Sequence, residues 1–238
     1  ADRGVRVRLL MDDALTDEVD SGLMSLTLAI DQGTTGCTSV VLARDGSVLG
    51  HATAEFTQYY PQPGWVEHDA DEIWNNTRAV IAGALAQADI AARDLTAVGI
   101  TNQRETTLVW EKATGRPLHN AIVWQCRRTA DVCDRLRADG WAGPIQARTG
   151  LVVDAYFSGT KLRWLLDHID DLANRAERGE ICFGTIDSFL VYRLTGRQVR
   201  HVFTRLSLYQ LGLLVLSVMV FQAVLESVQA APRIGQEL

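Results

Sequence analysis

Leu26 to Ile30 is a short, mostly apolar run closed by Asp31, the pattern of a buried strand. Gln32 to Gly36 reads as a tight glycine-containing turn, and the β-branched, apolar stretch Ser39 to Ala43 as a returning strand. Asp45-Gly46 is a strong hairpin signal, which makes Val48 to Phe56 a third strand. This opening is an antiparallel meander, unlike the strand-to-helix start of a Rossmann or Walker protein. Pro61 to Trp65 reads as a loop. Asp69 or Asp71 is placed to cap a helix carrying Ile73, Trp74, Val80, Ile81, Ala84 and Leu85 at helical spacing. Further strands are predicted over Ala97 to Thr101, Thr106 to Trp110 and Ala121 to Trp124. A corner falls at Asn102 to Glu105, and a turn at Thr114-Gly115. Helices are predicted over Thr129 to Ala138, Ser158 to His168 and Ile186 to Leu194. Strands with interspersed helices behind an antiparallel meander give an α/β domain on a mixed sheet with flanking helices.

The two ends break this pattern. Residues 1–23 mix Arg3, Arg6 and Arg8 with acids from Asp12 to Asp20, and hold no apolar stretch long enough for a secretory signal. They read as a disordered or spurious leader, with Met24 as a start. From Phe203 the chain changes character. Leu206 to Leu225 carries no charge and approaches the roughly 20 apolar residues that a membrane span needs, although Ser207, Gln210, Ser217 and Gln222 interrupt it.

Composition narrows the class. At 238 residues, 47% hydrophobic and 22% charged, the chain can bury a core without disulfide help. A net charge of −6 with no basic stripe argues against a nucleic-acid partner. The four cysteines, Cys37, Cys126, Cys133 and Cys182, form no Cys-x-x-Cys pair and have no histidine at zinc spacing. They read as small buried hydrophobes of a reducing, cytoplasmic protein.

Four segments carry candidate chemistry, each with a plain alternative. Asp31-Gln32-Gly33-Thr34-Thr35 sets a carboxylate at a strand end before a small turn with two hydroxyls. That suits a magnesium-bound phosphate, since Mg²⁺ takes one or two carboxylates and turn N–H groups hold phosphate oxygens. Gly33 permits close backbone approach. The alternative is an ordinary hairpin turn. Arg104-Glu105 offers a forked donor beside an acceptor, able to grip neighbouring hydroxyls of a polyol. The alternative is a surface ion pair. Trp124 is either an apolar face for a small polyol or a core residue. Tyr156, in a stretch with Asp154 and Lys161, is either a phenolic donor to the same ligand or a loop aromatic over the core.

Together these segments are far more specific. Asp31–Thr35, Pro63-Gly64-Trp65-Val66-Glu67-His68-Asp69, Thr101–Thr107, Ala121–Thr129, Tyr156–Lys161 and Gly184-Thr185-Ile186-Asp187-Ser188 occur in one order. From about Leu26 to Val202 the chain resembles the glycerol kinases of the FGGY carbohydrate kinase family. The resemblance implies an actin-like ATPase (ribonuclease H-like) fold, residues 24–202 forming the glycerol-binding N-terminal domain. It implies ATP and Mg²⁺ as cofactors, glycerol as substrate, and transfer of the γ-phosphate to the 3-hydroxyl. Asp31 would help hold Mg²⁺, and Gly33, Thr34, Thr35 and Gly36 would meet the nucleotide. Arg104, Glu105 and Tyr156 would bond the glycerol hydroxyls, with Trp124 along its carbon face. Full-length relatives would be homo-oligomers.

The sequence departs from the family pattern in three places. Gly36-Cys37-Thr38 stands where the family has Ser-Ser-Arg or Ser-Thr-Arg, so Thr38 replaces a phosphate-facing arginine. A charge-assisted hydrogen bond contributes roughly 1.5–3 kcal/mol, so nucleotide affinity is expected to fall about tenfold or more. Beyond Val202 the expected Thr-Asp-x-Thr-Asn-Ala-Ser-Arg-Thr segment is missing. Residues 203–238 read as out of frame, as a divergent buried segment, or as a membrane tether. The second domain, with the general-base aspartate and most of the adenosine pocket, is also missing, so the chain holds no catalytic residue of its own. Losing a general base costs about 10²–10⁴-fold, and negligible turnover is expected. The competing class is a non-catalytic actin-like binding module.

Overall fold

The computed structural model describes residues 26–196. The expected leader, Met24, and everything from Phe203, including Leu206 to Leu225, lie outside those residues. In chain order the strands are β1 (Thr27–Gln32), β2 (Gly36–Leu42), β3 (Val48–Glu55), β4 (Glu67–His68), β5 (Ala97–Asn102), β6 (Thr107–Glu111), β7 (Ala121–Ile122) and β8 (Ile181–Thr185). The helices are α1 (Ala70–Gln87), α2 (Ala130–Ala138), α3 (Ala142–Thr149), α4 (Ser158–His168), α5 (Leu172–Glu177) and α6 (Ile186–Leu194). The described chain folds as two compact units. Unit 1 holds residues 26–59, 68–104 and 186–196, and unit 2 holds 60–67 and 105–185.

Unit 1 is built on a sheet in the order β3-β2-β1-β5. The meander is antiparallel as expected, and β5 adds parallel to β1, which makes the sheet mixed. β2 alternates half-buried and buried positions along its whole length, the period of a strand with one face in the core. The Asp45-Gly46 turn forms, with Gly46 at φ +83°. Asp69, rather than Asp71, caps α1, its Oδ1 accepting from the N–H groups of Asp71 (2.8 Å) and Glu72 (3.3 Å). α1 packs on β2 and β3 through Ile73, Thr77, Val80 and Ala84, all buried. Full burial of an Ile or Val side chain contributes about 1.5–3 kcal/mol, so this face far outweighs the cap's ~1 kcal/mol. The fit is close at Gly50, where a Cβ would stand 2.3 Å from the Ala84 carbonyl oxygen.

Unit 2 is built on β7-β6-β8, with Glu67 of β4 beyond β7. Its core joins Val109, Ile122, Cys126, Leu162, Leu165 and Leu172, and a second cluster joins Cys133, Leu136, Ile145, Val153 and Ala155. Three features differ from the sequence expectation. β7 stops at Ile122 because the chain turns there, the Cys126 N–H returning to Val123 O at 2.9 Å. Thr129 precedes α2 without capping it, because its hydroxyl pairs with that of Thr160 (2.9 Å). α3, α5 and β8 are additions. α3 tolerates Gly143-Pro144 because they lie in its first turn, where a missing N–H removes no helical bond.

All four cysteines are free, and burial pushes the thiols of Cys37, Cys133 and Cys182 up. Among the described residues no helix is long and apolar enough to cross a membrane.

Candidate functional site

The unit 1 candidates gather at the ends of β1, β2 and β5. Asp31 is exposed on β1, opposite Thr38 of β2 and Thr101 of β5 in the strand register. Thr38 turns its hydroxyl to Thr53 (3.0 Å), so the two hydroxyls satisfy each other. Residues 33–36 form the tight turn read from the sequence, closed by Gly33 N–H to Gly36 O at 2.9 Å. A Cβ on Gly36 would stand 2.8 Å from Ala54 O, so no side chain fits there without a shift.

Beneath this turn lies a cluster that sequence reasoning missed. Gln32, His68 and Gln103 are buried, the first two completely. Gln32 Nε2 donates to Gly33 O (2.8 Å), and Gln58 Nε2 donates to Thr34 O (2.9 Å). Gln103 Nε2 reaches Gln32 Oε1 (3.2 Å), Gly33 O (3.3 Å) and His68 Nδ1 (3.2 Å). His68 Nε2 lies 2.6 Å from Gln58 Oε1. Burial lowers the His68 pKa to about 4, so the ring is neutral at physiological pH. The sequence offered little hint, because nothing in spacing joins residues up to 71 positions apart.

Could this turn hold a magnesium phosphate? Among the described residues no group of three or more His, Cys, Asp or Glu is placed to cage a metal. Asp31 offers a single exposed carboxylate beside a turn. That donor set fits Mg²⁺ bound largely through substrate phosphates and water, and does not fit a metal held by protein alone.

Unit 2 holds Glu105, Trp124 and Tyr156, and Arg104 is the last residue of this stretch of unit 1. Arg104 is exposed. Glu105 is buried at φ +63°, a left-handed conformation that costs a non-glycine residue about 1–2 kcal/mol. Its surroundings sustain it. Glu105 Oε2 accepts from both the N–H (2.8 Å) and the hydroxyl (2.7 Å) of Ser158 at the start of α4. The Glu105 carbonyl accepts from Lys161 Nζ (3.1 Å) and from Thr107 Oγ1 (3.1 Å). Lys161 is fully buried and also donates to the Tyr156 carbonyl. Burial lowers its pKa to about 8 against the pull of Glu105, which leaves it mostly charged at neutral pH.

Tyr156 is positioned from both sides. Its N–H donates to Asp154 Oδ1 (2.8 Å), and its ring meets Trp124 edge-on, with centroids 5.9 Å apart. Burial raises the Asp154 pKa, but the Arg127 guanidinium (2.7 Å) and the Tyr156 N–H outweigh it and hold the carboxyl below its usual range. The structure thus brings Glu105, Trp124 and Tyr156 together in unit 2, and Asp31, Gly33, Thr34, Thr35 and Gly36 together in unit 1. Ser158 and Lys161 are the supporting residues that the sequence did not assign.

The same unit buries an ion pair. Arg128 Nη2 lies 2.6 Å from Glu67 Oε1, and its guanidinium sits 4.0 Å from the Trp65 ring centroid and 4.6 Å from that of Trp164.

Comparison with known proteins adds three findings. Residues 26–208 match the family model for the N-terminal domain of the FGGY carbohydrate kinases. Glycerol kinases from Carboxydothermus hydrogenoformans and Ralstonia nicotianae are 55% and 58% identical over 172 residues, 72% of this chain and 34% of each relative. The chain therefore spans about a third of the length of the curated relatives it matches. The crystal structure of Plasmodium falciparum glycerol kinase with ADP superposes with TM-score 0.67 at 30% identity, over 75% of this chain and 36% of that one. A ligand-bound xylulose kinase from Lactobacillus acidophilus, 18% identical, shares the fold at TM-score 0.63, over 71% of this chain and 33% of that one. The fold is that of the actin-like ATPases.

Proposed function

The chain belongs to the FGGY family of carbohydrate kinases, and on that premise we propose that it carries the glycerol-binding and phosphate-binding portion of an ATP-dependent glycerol kinase. The observation that supports this best is the treatment of Glu105. A buried carboxylate is held in a left-handed backbone conformation, one oxygen fixed by Ser158 and the other making no hydrogen bond among the described residues. An acceptor with one oxygen spent and one to spare suits a ligand hydroxyl. The Trp124–Tyr156 edge supplies an apolar face and a phenolic oxygen of the kind a three-carbon polyol needs. Arg104 joins them by its place in the family motif.

In unit 1, Gly33, Thr34, Thr35 and Gly36 meet the triphosphate, and Asp31 helps hold Mg²⁺. The metal's contribution is charge neutralisation on the phosphates. The 3-hydroxyl oxygen forms a bond to the γ-phosphorus while the bond to the β,γ-bridging oxygen breaks. The hydroxyl proton goes to an aspartate that we assign to the two thirds of the relatives that this chain does not cover. The protein works in the cytoplasm. Positioning and proton removal both need that remainder.

Glycerol titration of the ¹⁵N-labelled chain tests the polyol half. Saturable shifts are expected at Glu105, Ser158 and Tyr156, and Glu105→Ala should weaken binding about tenfold or more, the loss of a hydrogen bond to a charged acceptor. Shifts that are absent, or unchanged in the variant, would end this reading. One observation favours a second reading, a non-catalytic binding module. Thr38, paired with Thr53, leaves the turn without the family's guanidinium. No response of the turn amides to Mg·ATP would select it.

A further inference from the structure

Two carbonyls of the turn, Gly33 O and Thr34 O, accept hydrogen bonds from the chain's own side-chain amides, Gln32 and Gln103 on the first and Gln58 on the second. In a planar trans peptide the C=O and the following N–H point in opposite directions. Pulling Thr34 C=O onto Gln58 therefore turns the Thr35 N–H away from the amide cluster, and the same holds one peptide earlier through Gly33 C=O. The cluster sets where the donors of the turn aim.

The directions of the bonds are determined throughout. Gln58 spends Nε2 on Thr34 O, so its Oε1 must accept from His68 Nε2, which is therefore the protonated ring nitrogen. His68 Nδ1 is then an acceptor, and takes its bond from Gln103 Nε2. The same Gln103 amide leans on Gln32 and Gly33 O. The Phe56 ring closes against His68 edge-on, at 4.9 Å between centroids. No charged group takes part.

We propose that His68, through Gln58 and Gln103, is a positioning residue that fixes residues 33–35 in the conformation that receives the nucleotide's phosphates. The proposal rests on the nucleotide half of the reading above and deepens it. Neutral Nε2–H imidazole is essential to it, because a proton on Nδ1 would set two donors face to face at Gln103. The depressed pKa of His68 keeps that neutral form in place.

The test uses the full chain, ¹⁵N-labelled, with Mg·ATP as probe. The wild type should show saturable shifts at Gly33, Thr34 and Thr35, and His68 ring nitrogens should report the Nε2–H tautomer. Gln58→Leu, at a half-exposed position that the core does not depend on, should weaken Mg·ATP about fivefold to tenfold with little change in melting temperature. His68→Phe should weaken it further, and His68→Gln, whose amide can still donate towards Gln58, should recover part of the loss. Equal affinity of wild type and Gln58→Leu would overturn the proposal, as would an Nδ1–H tautomer. A wild type whose turn amides ignore Mg·ATP would instead overturn the nucleotide reading itself, and this inference with it.

Discussion

The two units prepare their candidate sites by opposite means. Around the turn of unit 1, the buried polar groups are Gln32, His68 and Gln103, all neutral. In unit 2 they include ions beside neutral hydroxyls: among the described residues every buried charged side chain, Glu67, Glu105, Arg128 and Lys161, belongs to unit 2. Buried ions cost several kcal/mol each to desolvate, whereas paired amides cost far less. The difference follows the proposed ligands. A triphosphate brings its own charge, so a frame of neutral amides can aim N–H groups at it without adding a competing anion. A polyol brings none, so the protein must supply the ionised acceptor and a cation to steady it.

The contrast can be broken most directly at Arg128. Arg128→Ala strands the Glu67 carboxylate in the interior, and unfolding in urea should show a loss of about 3–5 kcal/mol. The neutral counterpart Gln103→Leu should cost about 1–2 kcal/mol. Equal losses would mean that charge is not what distinguishes the units.

A smaller effect should appear with pH at His68. Its folded pKa, about 4, lies below the ordinary value of 6.5, so the unfolded chain takes up the proton first. The stability linked to it is complete above pH 6.5 and is lost as pH falls toward 4. The loss amounts to about 3 kcal/mol by the standard linkage relation. The urea midpoint of the wild type should fall over that window relative to His68→Phe, whose curve lacks this contribution.

The smallest effect is expected at Lys161. Lys161→Met removes two charge-assisted bonds, each about 1.5–3 kcal/mol, but also removes the cost of burying an ammonium. The net loss should be about 1–3 kcal/mol. It should come with altered amide shifts at Glu105 and Tyr156, whose carbonyls the ammonium holds.

Much of the frame was legible in the sequence because its signals are local. Asp69 lies within one turn of the N–H groups it caps, and Asp45-Gly46 carries its turn within itself. Helices α4 and α6 follow from apolar spacing alone. What stayed hidden is held by distant partners or contradicts local preference. Ser158 lies 53 residues from Glu105, and His68 lies 35 from Gln103. Glu105 could be chosen as an acceptor, but an acid gives no sign that its backbone will be left-handed. α3 carries Gly143-Pro144 in its first turn, two poor helix formers that leave little apolar spacing to announce a helix.

The interleaving of the two units has a consequence for how the protein is made. Unit 1 starts first on the ribosome, yet it lacks α6 until residues 186–196 emerge. Unit 2 starts later but has all its described residues once Thr185 has left the exit tunnel. Among the described residues the later-starting unit is thus the first to be complete, and β5 must wait for the helix that packs on it, translated some 80 residues after that strand ends.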